Sequence, residues 1–125
     1  MRYILIHNTS RPTNPPVRAR YCTSFLSRLR GFTFRRKLQP DEAILLVQSR
    51  DSRLDTAIHM LGVWTDLDVV WINSSGDVVD LCIARAWRPF YIPHGPARYV
   101  LEMAPGRLDA FRTGDKLKFE EALPD

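Results

Sequence analysis

Cysteine is scarce in this chain, whose 125 residues include only Cys22 and Cys82. The two lie far apart, without the close spacing of a zinc site or the cysteine density of a secreted disulfide scaffold, so two free thiols are expected. Long apolar runs are missing too, since no stretch approaches the roughly 20 residues that a membrane-spanning helix needs. We therefore expect a cytoplasmic protein with no membrane partner.

Acidic residues are absent from the first 37 positions, where nine Arg and Lys side chains give a net charge of +9. The remainder has nine basic and fourteen acidic side chains, a net charge of −5, which brings the whole chain to +4. Such asymmetry indicates either an anionic partner, nucleic acid included, or a basic segment that lies against the acidic remainder. We favour the second interpretation, because the arginines are spread over several local patterns instead of one run.

Apolar residues make up 45% of the chain, which is enough for the core of one domain over residues 1–125. Segments rich in apolar and β-branched residues dominate and predict strands. These strands are Arg2–His7, Val17–Cys22, Ala43–Gln48, Thr56–Trp64, Leu67–Asn73, Asp77–Ala84, Arg98–Met103 and Lys116–Phe119.

Turn and helix signals separate these strands. Residues 8–16, rich in Thr, Asn and Pro, predict a loop, and Ser74-Ser75-Gly76 predicts a tight hairpin. A short helix is predicted from Thr23 or Ser24 to Gly31, and a second over Pro105–Arg112. The proline-rich stretch Trp87–Pro96 is expected to cover the domain as a loop. Together these elements predict an α+β fold with a mostly antiparallel sheet.

The predicted strand Val17–Cys22 alternates between basic and other residues. Arg18 and Arg20 should share one face of it, with Val17, Ala19 and Tyr21 on the other. We expect the basic face to point to solvent. In a nucleic-acid-binding hypothesis Tyr21, Phe32 or Phe34 would stack on bases. The cations that would contact phosphates are Arg18, Arg20, Arg28, Arg30, Arg35 and Arg36.

Several short motifs occur in order along the second half of the basic segment and the rest of the chain. They are Arg28, Gly31, Phe32, Phe34 and Arg35, then His59-Met60, Leu67-Asp68, Tyr99-Val100-Leu101-Glu102 and Gly114-Asp115. In order and spacing they resemble the family called domain of unknown function 192, over about residues 20–119. This resemblance implies antiparallel strands curled into a small barrel-like sheet with one or two short helices, and it implies no established reaction.

Two acids interrupt apolar strands, Asp68 in Leu67–Ile72 and Glu102 in Tyr99–Met103. A buried ionised carboxylate is costly unless cations or amide donors meet it, so each acid needs a partner. Basic side chains that could serve are Arg35, Arg36, Arg85 and Arg98. We favour structural ion pairs that tie strands together over two carboxylates and an arginine converging on a pocket.

The predicted ligand site nevertheless consists of Arg35, His59, Asp68 and Glu102, with His59 at either a surface or a pocket position. Our leading hypothesis is a noncatalytic binding or accessory module whose small polar pocket takes an anionic small molecule. One alternative is an enzyme that uses Asp68 or Glu102 as acid or base while Arg35 holds an anionic substrate. Another is a nucleic-acid-binding module that uses the basic N-terminal third, which we favour less.

Histidine and cysteine side chains are too scattered to predict a metal site. The five candidates are His7, Cys22, His59, Cys82 and His94. The sequence also has no glycine loop of the kind that cradles phosphates, and no cofactor is predicted.

Overall fold

A computed structural model describes residues 2–23 and 38–123. Seven strands form one sheet in the order β5-β4-β6-β3-β2-β1-β7. The strands are β1 Tyr3–Asn8, β2 Val17–Cys22, β3 Ala43–Ser52, β4 Leu67–Ile72, β5 Val78–Ala84, β6 Ala97–Met103 and β7 Leu117–Glu121. Five of the six strand pairs are antiparallel, and only β2 and β3 run parallel. The predicted mostly antiparallel sheet is thus confirmed.

The sheet curls into a half-barrel whose edge strands, β5 and β7, approach each other at one end. There Asp77 and Lys116 form an isolated antiparallel bridge. Gly76, with a φ of +88°, closes the β4–β5 turn, and its carbonyl oxygen accepts the N–H of Leu117 at 2.7 Å. A Cβ atom at this position would lie 2.6 Å from the Leu117 carbonyl oxygen, so the junction requires glycine. The predicted hairpin at Ser74–Gly76 is present.

Alternating side chains give the sheet two apolar faces. The inner face, inside the curl, buries side chains from all seven strands, among them Leu45, Leu101 and Met103. The outer face buries a second cluster centred on β3, β4 and β6, which includes Ile44, Val69 and Trp71. Burial of this much apolar surface on both sides of one sheet supplies the main driving force for the fold.

Two connecting segments, residues 53–66 and 85–96, lie over the outer face. Ile58 and Tyr91 pair across them through two backbone hydrogen bonds of 2.9 Å. The indole nitrogen of the buried Trp71 donates to the Thr56 carbonyl oxygen at 2.7 Å, and this bond ties the first segment to β4. The second segment contains the proline-rich stretch and covers the sheet as predicted.

The expectation of an α+β fold is wrong for the described residues, which are mostly β. Their only helix is the three-residue 3-10 turn Leu108–Ala110. The predicted helix over Pro105–Arg112 is limited to this turn because Gly106 has a φ of +100° and the next two N–H groups bond to a side chain. The other predicted helix, which ends at Gly31, lies outside the described residues.

The predicted strand Thr56–Trp64 is also wrong. Only Ile58 pairs there, as an isolated bridge, and a turn from Met60 to Val63 with Gly62 at a φ of +79° breaks the extended conformation. The apolar residues of this segment are buried because they cover the outer face, and not because they belong to the sheet. Apolar content predicts burial here, but it does not distinguish a strand from a covering segment.

Candidate functional site

Of the four residues predicted to form a ligand site, the structure describes His59, Asp68 and Glu102. Arg35 lies outside the described residues, and His59 is exposed on the covering segment 53–66. On the neighbouring strands β4 and β6, Asp68 stands opposite Met103 while Glu102 stands opposite Val69. Directly opposed residues share a face and successive residues alternate, so Asp68 points to the inner face and Glu102 to the outer face. These two carboxylates are not brought together.

Asp68 is 2% exposed, and its carboxylate accepts hydrogen bonds from the backbone of the segment after β6. Its Oδ2 atom accepts the backbone N–H of Arg107 at 2.7 Å and that of Leu108 at 2.9 Å. Two amide donors offset much of the cost of burying a carboxylate. Asp68 therefore fixes the backbone of the segment after β6, and with it the position from which the Arg107 side chain extends.

Glu102 is 6% exposed and lies between apolar neighbours, with Ile44 and Val69 directly opposite on the two adjoining strands. Burial raises the pKa of its carboxyl group to about 7. Neither of the two described arginines proposed as partners bonds to it. Arg85 pairs with Asp66 at 2.9 Å, and Arg98 donates to the Gln48 carbonyl oxygen at 2.9 Å.

A different set of side chains lines an open cleft of about 390 Å³. We call it the arginine cleft after Arg18, Arg20 and Arg107, and Tyr3 and Glu42 also line it. It lies where β2 and β3 begin and β6 ends, since the Ala104 N–H bonds to the Glu42 carbonyl oxygen. A volume of this size is within the usual range for small-molecule sites, about 300–1,000 Å³.

Strand alternation explains the first two arginines. Val17 and Ala19 fill the inner face of β2, which leaves Arg18 and Arg20 on the outer side, as the sequence predicted. The expectation that this basic face simply points to solvent is wrong, because both arginines are half-buried and line the cleft. Tyr21 packs against the inner cluster, with Arg2 over its ring at 4.0 Å.

Two of the three cleft arginines have a buried guanidinium nitrogen without a hydrogen-bond partner in the described part of the chain. Arg18 lies over the Tyr3 ring at 3.7 Å, which fixes its orientation. The Nε atom of Arg20 and the Nη1 atom of Arg107 are buried without a hydrogen-bond partner in the described part of the chain. A buried donor left without an acceptor costs about 1–3 kcal/mol, so these groups are suited to an added acceptor.

Sequence reasoning missed Arg107 as a site residue. It follows Pro105 and Gly106, a turn signal that was interpreted as the start of a helix. The available clue was that a basic side chain on a loop at the end of a strand is more often functional than one on a strand surface. Only the contact between this loop and β3 brings Arg107 to Arg18 and Arg20.

Two acids, Asp41 and Glu42, also line the cleft. Glu42 lines the cleft, and its Oε1 atom already accepts the N–H of Gln39 at 3.0 Å. Asp41, also in the lining, is exposed. Elsewhere the basic N-terminal segment does pair with acids of the remainder, as Arg2 does with Glu121 at 2.8 Å and Arg11 with Asp115 at 3.0 Å.

Residues 2–23 and 38–123 form neither a metal-binding cluster nor a membrane-spanning helix. No group of three or more His, Cys, Asp or Glu side chains is placed there to hold a metal ion. Nor does this part of the chain contain a helix long and apolar enough to cross a bilayer. Both cysteines are free, and burial raises the pKa of the Cys82 thiol to about 11, which makes it a poor nucleophile.

Several known proteins are similar to this chain in sequence or in fold. The chain is 30% identical over 109 residues to a UPF0127 protein of Pyrococcus furiosus, covering 86% of this chain and 90% of the relative. A Sinorhizobium meliloti structure, provisionally described as a transcription regulator, superposes with a TM-score of 0.79 at 19% identity, covering 94% of this chain and 92% of that one. A protein of unknown function from Novosphingobium aromaticivorans superposes with a TM-score of 0.74 at 20% identity, over 93% and 83% of the two chains.

The two structural similarities concern the fold alone. The family model DUF192, Uncharacterized ACR, matches residues 6–119. This match includes all strands except part of β1 and the end of β7, together with the arginine cleft residues Arg18, Arg20 and Arg107. The chain therefore belongs to the DUF192 family of uncharacterised proteins.

Proposed function

We propose that this protein is a noncatalytic binding module that holds a small anionic ligand in the arginine cleft. The observation that carries the proposal is the pair of buried guanidinium N–H groups, on Arg20 and Arg107, that lack an acceptor among the described residues. Such groups are costly in the unliganded protein and gain a charge-assisted hydrogen bond when an anion binds.

A phosphate ester or diphosphate is the ligand class that fits this cleft best. A planar carboxylate is satisfied by one arginine in a bidentate pair, whereas a phosphoryl group offers three oxygens in different directions. The cleft offers guanidinium groups from two alternate positions on one face of β2 and from a separate loop. The exposed acid Asp41 at the same cleft would favour a ligand that also carries hydroxyl or amino groups.

The enzyme hypothesis, which uses Asp68 or Glu102 as acid or base, has less support than a binding module, since the two carboxylates lie on opposite faces of the sheet. The nucleic-acid hypothesis has less support than a small anion. Its described stacking residue, Tyr21, packs against the inner cluster. Two other cations of the basic N-terminal third, Arg2 and Arg11, are paired with acids. Among the described cations, the cleft arginines Arg20 and Arg107 are the best suited to bind phosphate, because each has a buried donor without an acceptor.

The test is the thermal stability of the full chain in increasing inorganic phosphate and pyrophosphate, with sodium chloride at matched ionic strength as the reference. We expect a saturable increase in Tm that chloride does not reproduce. The substitutions Arg20→Gln and Arg107→Gln should each weaken the response about tenfold or more, because each removes a charge-assisted hydrogen bond.

Arg50→Gln is the matched control, because it removes the same charge from an exposed arginine that pairs with Asp55 at 3.4 Å. It should leave the anion response unchanged. An equal loss in all three variants would mean that the anions act through net charge and not through the cleft. A response that never saturates would also contradict the proposal.

A further inference from the structure

A second surface, unrelated to the arginine cleft, lies on the two covering segments. Their backbones are tied together where the Met60 N–H donates to the Arg88 carbonyl oxygen and the Trp87 N–H donates to the Met60 carbonyl oxygen, both at 3.0 Å. The Ile58–Tyr91 bridge lies beside this connection. Side chains that extend from this junction are therefore held on a hydrogen-bonded base and not on a free loop.

Large apolar side chains cover the solvent side of this base. Trp64 and Trp87 meet edge to face with ring centroids 5.2 Å apart, and they remain 47% and 48% exposed. Leu61 is 50% exposed and Phe90 is 73% exposed on the same two segments. We call these four residues the tryptophan platform. Scattered apolar residues are ordinary on protein surfaces, but four on two linked segments are the kind of patch that indicates a binding surface.

Trp87 adopts a conformation that reinforces this interpretation. Its φ of +65° lies in the left-handed region, and it is the only described residue other than glycine with a positive φ. A bulky side chain is strained there, by about 1–3 kcal/mol, and such strain is concentrated at functional positions. Here the strained backbone holds an indole ring half in solvent instead of burying it.

The charge around the platform is positive. Asp66 is the one acid in residues 57–66 and 85–92, and it pairs with Arg85 at 2.9 Å and accepts the Ala86 N–H at 2.8 Å. Arg88 is exposed beside Trp87. This local excess of positive charge stands in the part of the chain after Lys37, whose net charge is −5. These two stretches therefore combine exposed indole, phenyl and leucine side chains with an exposed cation, and their one acid is paired.

We propose that the tryptophan platform adsorbs to anionic lipid surfaces. Indole rings prefer the headgroup region of a bilayer, leucine and phenyl side chains enter the acyl boundary, and an arginine pairs with anionic headgroups. Base stacking would have no use for Leu61, so the composition favours lipid over nucleic acid. The expectation of no membrane partner rested on the missing spanning segment, which surface adsorption does not require.

Vesicle binding tests this proposal with the full chain. The protein is sedimented with phosphatidylcholine vesicles and with vesicles containing one quarter phosphatidylglycerol, and its tryptophan emission is recorded. We expect binding to the anionic vesicles only, with a blue shift from Trp64 and Trp87, because Trp71 is already buried. The substitution Leu61→Ser combined with Phe90→Ser, both at exposed positions, should weaken binding about tenfold or more, and Arg88→Gln several-fold.

Two controls separate the surfaces. The double substitution Arg18→Gln and Arg20→Gln alters the arginine cleft and should leave vesicle binding intact, whereas the platform variants should keep the phosphate response. Vesicle binding that survives the Leu61 and Phe90 substitutions but disappears with the cleft variant would overturn the proposal. So would the absence of vesicle binding together with concentration-dependent self-association of the wild-type protein, since the platform would then contact a second copy.

Discussion

On the inner face of the sheet, the buried carboxylate of Asp68 accepts two backbone N–H groups, whereas on the outer face burial raises the pKa of Glu102 to about 7. The two acids lie on neighbouring strands, one residue out of register. The outer side also carries the buried Arg20 Nε atom, which lacks an acceptor among residues that the structure describes. The buried carboxylate of the inner face is thus satisfied by backbone donors, whereas the buried carboxylate of Glu102 and the Nε atom of Arg20 on the outer side have no such partner among the described residues.

The largest effect should come from removing the inner carboxylate. Asp68→Ala leaves the Arg107 and Leu108 N–H groups without their acceptor, so we expect the free energy of unfolding to fall by about 3 kcal/mol. Asp68→Asn keeps an acceptor oxygen and should cost about 1 kcal/mol. Urea denaturation measures both values. Equal costs for the two variants would show that the charge of Asp68, and not its two hydrogen bonds, holds the segment after β6.

A pH titration of stability tests the outer carboxylate. Because the folded pKa of Glu102 is raised above its ordinary value of 4.5, the folded protein holds a proton that the unfolded chain releases between these two pH values. Its effect is therefore a loss of stability as pH rises from about 4.5 through 7, by up to about 3 kcal/mol. Glu102→Gln should match the wild type near pH 4 and exceed its free energy of unfolding at pH 8.

The contrast between the inner and outer carboxylates would be contradicted if Glu102→Gln were no more stable than the wild type at pH 8. That result would mean that the Glu102 carboxylate has a cationic partner when ionised, and the outer face would then resemble the inner one. Asp115→Asn is a suitable contrast. The carboxyl pKa of Asp115 is lowered by hydrogen bonds from Asn8, the Arg112 amide and Arg11, although burial opposes them, so its loss should destabilise the protein at pH 8.

The smallest effect is expected from the cleft arginines in the absence of anions. Arg20→Met keeps much of the aliphatic stem and removes a buried donor without an acceptor, so the free energy of unfolding should rise by about 1 kcal/mol. The same variant should lose the phosphate response. Denaturation with and without phosphate measures both quantities. A gain in stability together with a loss of binding is the signature of a functional site, whereas a loss of both would indicate a structural arginine.

Sequence reasoning reached most of the strands and the hairpin turn, because alternation and a glycine turn are local signals. It placed Val17–Cys22 correctly and put Arg18 and Arg20 on one face. It was wrong at Thr56–Trp64, whose apolar residues cover the sheet from outside. It was also wrong at Pro105–Arg112, where two backbone N–H groups bond to the Asp68 carboxylate and the helix is limited to one turn. In both places a contact from a distant strand outweighed the local pattern.

The sequence by itself determined which residues are apolar, where strands alternate and where a glycine must turn the chain, since each follows from neighbours along the chain. The tertiary structure alone decided that Asp68 and Glu102 face apart, because a register shift of one residue between β4 and β6 reverses the face of every side chain. It also alone brought Arg107 to the arginines of β2, since that meeting depends on the segment after β6 folding back over the start of β3.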